Sequence, residues 1–318
     1  MQKLSTKRKP SRLYGFGRLG DDIRKNYLLY VMLIPLILFY VIFCYGPMYG
    51  IIIAFKDFSM GKGIMGSPWT SDFGFRHFID FLTGSDFKTI FSNTVMLSLG
   101  LIVFSFPAPI IFAILLNEVK CVWFKRGIQT ITYIPYFISV MVVCGLLYTF
   151  LGRDGLINDL IEFFGGTRSN LLANPSCFKP IFIVSDIWQN LGWGSIIYIA
   201  AITAIDQELY EAASIDGAGR FRQMLSITLP GILPTVLTLF ILRMGSVFSV
   251  SYEKVILLIN DMTRSKAEVI SSHVYRRGMI DADYSYSTAV GLFNNILNFA
   301  VLLITNHISK KMTETSLW

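Results

Sequence analysis

The chain has 318 residues, of which 53% are hydrophobic and 15% charged, and its formal net charge is +7. That length alone suggests about two soluble domains, but a mean hydropathy of +0.55 and charges clustered between long uncharged runs exclude that reading. The four cysteines suggest no disulfide framework, and no CxxC or histidine cluster suggests a metal site.

Residues 1–27 form a basic tail with eight Lys/Arg: Lys3, Lys7, Arg8, Lys9, Arg12, Arg18, Arg24 and Lys25. The apolar run that follows is too long for a signal-peptide core and lacks a small-residue cleavage site, so the tail is expected to be retained. Runs 28–55, 89–117, 127–152 and 284–306 contain no Asp, Glu, Lys or Arg, while 181–205 carries only Asp186 and 231–252 only Arg243. Each exceeds the roughly 20 residues a helix needs to cross a bilayer. The expected fold is an all-α integral membrane protein of six spans, with the membrane domain at 28–306 and a second tail at 307–318.

Six spans put both termini on one side. That side holds 15 Lys/Arg against eight acids, whereas segments 56–88, 153–180 and 253–283 on the other hold 12 of each. The positive-inside rule then predicts cytoplasmic termini. In this setting the basic tail suits anionic lipid and topology, not nucleic acid. The outer segments, about 30 residues each, are longer than ordinary connectors; they either grip an external partner or are solvated.

Polar residues inside spans are costly, about 2.5–3.5 kcal/mol for a mid-span charge, so their placement is informative. In the fourth span Asp186, Gln189, Asn190 and Trp193 are spaced i, i+3, i+4, i+7 on one face. Amides for hydroxyls and an aromatic face for a sugar ring suit a carbohydrate pathway; a polar seam between helices is the alternative. Residues 206–230 follow, polar yet held between two spans. Asp206 is the expected N-cap of a short helix through Glu211, Ala212 and Ala213. Gly217 supplies a left-handed turn after Asp216. A second short helix is expected from Arg220, presenting Phe221, Met224 and Leu225, with Pro230 and Pro234 limiting how far it continues unkinked.

Arg243 is placed about 16 Å into the fifth span, and Asp186 about 8 Å from the outer end of the fourth, at roughly 1.5 Å per residue. Arg243 therefore either pairs with Asp186 across that offset or faces the pathway. In the sixth span Asn294, Asn295 and Asn298 form a second lining or a hydrogen-bonding seam. His77, His273 and His307 lack the partners expected of a catalytic group. An ion-driven carrier would need ionisable relays in several spans, and a membrane enzyme would need clustered His, Asp or Ser; neither is present.

The pattern E-A-A, three residues, Gly, nine residues, I-x-L-P is met at Glu211, Ala212, Ala213, Gly217, Ile227, Leu229 and Pro230. It resembles the coupling loop of membrane subunits in bacterial ATP-driven importers that work with a solute-binding protein. The stretch YLLYVMLIPLILFYVIFCYGPMYGIIIAFKDF (27–58) and the ending YSYSTAVGLFNNILNFAVLLITN (284–306) are similar to polysaccharide-type sugar permeases of the maltose-permease-like superfamily. The resemblance implies the transmembrane domain of a type I ABC importer in a prokaryotic plasma membrane, moving oligosaccharides by alternating access. It implies that the elbow, including Asp216, Phe221 and Met224, docks into a separate ATPase. It also implies a second, similar permease, two ATPase copies that bind ATP and Mg, and an external sugar-binding protein. Positions 186–193 and Arg243 then match pocket-lining stretches of that family, although Asp186 and Trp193 depart from its usual identities. No GxxxxGK[ST] P-loop occurs in the chain, so it needs no cofactor of its own and is not the ATPase.

Overall fold

The computed structural model describes residues 24–313, with side chains through 311; most of the N-terminal tail lies outside the described residues. Contacts divide the chain at residue 52. The first unit consists of most of α1 (Tyr27–Phe55), a 29-residue apolar helix.

The second unit is helical throughout its described regular structure. Its chain order is α2 (Arg76–Thr83), α3 (Phe87–Asn117), α4 (Val122–Tyr133), α5 (Val140–Leu151) and α6 (Leu156–Phe163). Then come α7 (Pro175–Thr203), α8 (Gln207–Ile215), α9 (Arg220–Met244), α10 (Tyr252–Leu258), α11 (Ile270–Tyr275) and α12 (Tyr284–Thr313). Among the described residues, five helices are long and apolar enough to cross a membrane, those at Tyr27–Phe55, Phe87–Asn117, Val140–Phe163, Arg220–Met244 and Tyr284–Lys311. The expected fourth span is α7, whose 29 residues cover about 43 Å; Asp186, Gln189 and Asn190 make it less apolar than the other five.

Two expected spans are redrawn. The run 127–152 is not one helix: a tight turn at Ile134–Phe137, which includes Pro135, ends α4. Extended residues Ile138 and Ser139 follow, and the Ser139 hydroxyl accepts from Val142 N at 3.4 Å to start α5. The fifth span is displaced toward the N-terminus, beginning at Arg220 and ending at Met244. The second short helix of the elbow is therefore the start of α9 itself. A five-residue π turn, Met224–Thr228, precedes Pro230. The same device, two residues ahead of a proline, occurs at Leu101–Ser105 before Pro107 and Tyr40–Tyr45 before Pro47. A proline ring clashes with the carbonyl four residues back and offers no N–H; widening the preceding turn relieves the clash without breaking the helix.

Helices α3 and α7 form the centre. Ile110, Ala113 and Ile114 of α3 pack with Tyr198 and Ile202 of α7 and Ile232 of α9. Further along, Leu97, Leu101, Phe178 and Phe182 pack with Cys144 and with Val250, Val255 and Leu258 around α10. Gly192 lets α7 approach α4 closely, since a Cβ there would lie 2.2 Å from the Thr132 carbonyl oxygen. One end of the unit ties α3 and the segment before α7 to the segment after α10. Asn93 donates to the carbonyls of Ser265 and Glu268, at 3.0 and 3.2 Å, and Asn260 donates to that of Leu172 at 2.9 Å. The other end joins the α3–α4 connection to the elbow through Arg220 and Glu118, 3.9 Å apart.

Segment 253–283 carries a buried charged cluster. Glu268 takes hydrogen bonds from Arg276 and lies 3.4 Å from His273, whose other ring nitrogen is 3.3 Å from the Tyr286 hydroxyl. His273 therefore has a carboxylate partner that the sequence did not disclose, and the cluster pins this segment to α12. Burial alone would raise the Glu268 carboxyl, but the His273 hydrogen bond and the Arg276 charge outweigh it and hold the group below its ordinary 4.5. A depressed carboxylate stabilises the fold above its unfolded value, and that contribution is lost as pH falls through the folded value. Thermal melts in detergent are expected to show stability falling as pH drops below about 4.5, with Glu268→Gln less stable at neutral pH and less pH-dependent. Separately, Gly192→Val should cost about 1–3 kcal/mol through overpacking against backbone, read as a lowered Tm. Gly127→Ala, where a Cβ meets nothing within 4 Å, should melt like the parent.

Candidate functional site: an elbow and an intramembrane cavity

The elbow begins where Asp206 caps α8, its carboxylate accepting from Glu208 N at 3.0 Å. Helix α8 ends in a left-handed Gly217, φ 76°. Ala218 N donates to Ala213 O at 2.8 Å and Gly217 N to Ser214 O at 3.1 Å. These two bonds are the Schellman closure that satisfies the last carbonyls of a helix. Gln223 Nε2 donates to Ser214 Oγ and Ala218 O, at 2.9 and 3.0 Å, clamping α9 against α8. Tyr210 and Thr228 hydroxyls, 2.9 Å apart, tie α8 to the π turn.

On this rigid frame the apolar tips point outward. Ile215 is 87% and Phe221 71% exposed, and Glu211, Ala212, Asp216, Gly217, Leu229 and Pro230 are exposed as well. Ala213, Met224 and Ile227 are half-buried on the inner side of the bend. Exposed apolar side chains on a frame braced by its own hydrogen bonds form a surface shaped to be covered.

The second feature is a cavity of about 350 Å³ among α3, α7 and α9. It is lined by Ser105 and Pro109 of α3, Asp186, Asn190 and Gly194 of α7, and Leu239 and Arg243 of α9. Asn190 Nδ2 donates to Asp186 Oδ1 at 3.1 Å and to its carbonyl at 3.0 Å, which leaves the Asn190 carbonyl oxygen facing other partners. The buried Ser105 hydroxyl, in the π turn of α3, has no hydrogen-bond partner among the described residues. Carboxylate, amide, hydroxyl and guanidinium thus converge on one space, a donor and acceptor set suited to a polyhydroxylated ligand.

The helix limits differ from those of the expected spans. Helix α7 starts at Pro175, where the Asn174 side chain accepts from Ser176 N at 3.0 Å, so Asp186 lies about 17 Å along it rather than 8 Å. Arg243 is the penultimate residue of α9, where its charge also complements the helix C-terminus. Both line the same cavity, but among the described residues no Arg243–Asp186 contact falls within the 4.0 Å of an ion pair.

The expected stripe on α7 splits. Asp186 and Asn190 face the cavity, while Gln189 and Trp193 face the break between α4 and α5. Gln189 Nε2 donates to Ile138 O at 3.1 Å, satisfying a carbonyl freed by that break. Trp193 stacks on Tyr136, with centroids 4.6 Å apart and planes 8° from parallel. In α12, Asn298 forms a seam: its carbonyl accepts from Phe248 N at 2.9 Å and its amide donates to Ser249 at 3.0 Å. It closes the chain after α9 rather than lining the cavity. Asn294 is buried with Oδ1 unpartnered, and Asn295 is exposed; neither lines this cavity.

One residue was missed entirely. Lys254, in α10, is 3% exposed, and its Nζ has no hydrogen-bond partner among the described residues. The ammonium sits 4.9 Å over the Phe182 ring, one helical turn from Asp186 on α7. Burial pushes this lysine down from its ordinary range, partly opposed by the charge of Asp186. The signal available in the sequence was a lysine, next to Glu253, at the head of the apolar run VILLI at 255–259.

Known proteins share this architecture. A polygalacturonan/rhamnogalacturonan transport system permease protein, YteP of Bacillus subtilis (strain 168), is 44% identical over 298 residues, covering 93% of this chain and 91% of its own length. Protein LplB of the same organism is 42% identical over 297 residues, covering 93% and 92%. A crystal structure of a bacterial ABC transporter involved in import of the acidic polysaccharide alginate superposes with a TM-score of 0.86 at 40% identity, covering 93% of this chain and 99% of the solved one. The family described as binding-protein-dependent transport system inner membrane component matches residues 105–314, a stretch that contains the elbow, the cavity and Lys254, and the chain belongs to that family.

Proposed function

We propose that this permease of a binding-protein-dependent importer carries acidic oligosaccharides, and that the cavity bearing Arg243, Asp186, Asn190 and Ser105 is its substrate pathway. The observation that carries the reading is the guanidinium of Arg243 facing a space that also offers hydroxyl and amide partners. Arginine is suited to bidentate carboxylate recognition, and a uronate chain presents carboxylates among hydroxyls. The names of the relatives support it, since alginate is described as acidic and another relative is named for polygalacturonan.

The proposal extends to the assembly. Six spans, α7 among them, place both termini and the elbow in the cytoplasm of a prokaryotic cell. The exposed tips Ile215 and Phe221, with Glu211 and Gly217, dock into a separate ATPase that binds ATP and Mg. Two ATPase copies and a second, similar permease complete the translocator. A sugar-binding protein delivers substrate to the opposite face; a solved relative was crystallised with an alginate pentasaccharide-bound periplasmic protein. ATPase closure pulls the elbow, and the bundle alternates between outward- and inward-facing states.

Reconstitution in proteoliposomes with the partner subunits tests both halves. Arg243→Gln should lower uptake of an oligogalacturonate about tenfold to a hundredfold, the range for losing a charge-assisted hydrogen bond; unchanged uptake would sink the pathway assignment. Glu211→Ala together with Phe221→Ala should leave the chain folded, because both are exposed, yet abolish the ATPase stimulation that the loaded binding protein causes. Retained stimulation would remove the elbow from the coupling role.

A further inference from the structure

Lys254 is an anomaly by the physics of burial. An ammonium withdrawn from water normally recovers part of the cost through hydrogen bonds or an ion pair. Among the described residues Nζ has neither a hydrogen-bond partner nor an ion pair within 4.0 Å. A leucine or methionine would pack on the Phe182 ring with no such penalty. What the lysine adds is charge, placed behind the wall of the cavity.

The charged group that this amine opposes is Asp186. Phe182 and Asp186 are four residues apart and share a face of α7, so an ammonium over the Phe182 ring lies about one helical turn from the carboxylate, and neither Phe182 nor Lys254 is among the residues that line the cavity. The charges around the cavity are then Asp186 and Arg243 on its lining and Lys254 behind it. Without the lysine, the carboxylate cancels the guanidinium, and the site is neutral and locally repels an anionic sugar. With it, the carboxylate is offset from behind and Arg243 is left uncompensated.

We propose that Lys254 is a specificity-determining positioning residue: it neutralises Asp186 from outside the cavity, so that Arg243 presents net positive charge to carboxylate-bearing sugars. This rests on the reading of the cavity as the substrate pathway. Lys254 touches no substrate; its aliphatic stem belongs to the α10 core, and its action passes through Asp186. The aspartate keeps a task in this arrangement, because it orients Asn190 through the 3.1 Å hydrogen bond.

The charge logic makes a prediction that a packing role does not. In the reconstituted complex, Lys254→Met should lower uptake of an oligogalacturonate about tenfold, while uptake of its methyl-esterified, neutral counterpart changes little. Adding Asp186→Asn to Lys254→Met removes the unbalanced carboxylate and should restore uptake of the acidic oligomer to within about threefold of the parent. A lysine that serves only to pack predicts equal losses for both sugars and additive loss in the double variant, and either result overturns the proposal. Melting temperature is measured alongside, so that a parent-like value for Lys254→Met separates a loss of acidic-sugar uptake from a loss of fold. Loss of acidic-sugar selectivity in Arg243→Gln with no rescue in the double variant would retain the pathway and reject the role of Lys254. No effect of Arg243→Gln would instead reject the pathway itself.

Discussion

Hydrocarbon has no hydrogen bonds to offer, so every backbone amide and carbonyl of a spanning segment must find a partner within the protein. Much of this structure follows from how the chain meets that demand around its prolines. At Pro47, Pro107 and Pro230 a widened turn takes up the proline and the helix continues. Near Pro135 the helix is instead abandoned, and a side chain from α7, Gln189, is recruited to the freed Ile138 carbonyl. The π turn of α3 also presents Ser105 to the cavity. A local solution to a backbone problem thus supplies a polar group at a place where an ordinary helical turn would have aimed it elsewhere.

The elbow and the cavity are two ends of one covalent element. Helix α8 is bound to α9 by Gln223 and by the Tyr210–Thr228 contact, and α9 carries Arg243 at its far end. The small residues required at close approaches, Gly192 against Thr132 and Gly194 against Pro109, sit on α7, which lines the cavity together with α3 and α9. Membrane helices associate through such close packing because lipid offers no hydrophobic drive between them. The family to which the chain belongs, the binding-protein-dependent transport components, matches both features within a single stretch.

Local chemistry was legible where it is short-ranged. The Asp206 cap and the left-handed Gly217 could be read from the sequence because each acts on backbone groups within a few residues. The limits of α5 and α9 could not, because apolar content marks what tolerates hydrocarbon and not where a helix starts. Residues 220–226 are helical although Arg220, Arg222, Gln223 and Ser226 are polar, and residues 245–251 carry no charge yet are not helical. The helix limits also shift where Asp186 and Arg243 fall along α7 and α9. Sequence spacing grouped Gln189 with Asn190, although neighbouring residues on a helix point about 100° apart. Lys254 escaped because its importance depends on Phe182 and Asp186, some 70 residues earlier in the chain.

The continuity of α9 has a mechanical consequence. From Arg220 to Arg243 the helix is a lever of about 35 Å at roughly 1.5 Å rise per residue. A tilt of about 10° at the elbow would sweep the far end through about 6 Å, more than the diameter of a sugar hydroxyl and its partner. The π turn at Met224–Thr228 lies close to the fulcrum, where an extra residue per turn makes a helix easiest to bend. Continuous from its handle to Arg243, α9 can convert a small rotation at its elbow end into displacement of a cation at its other end.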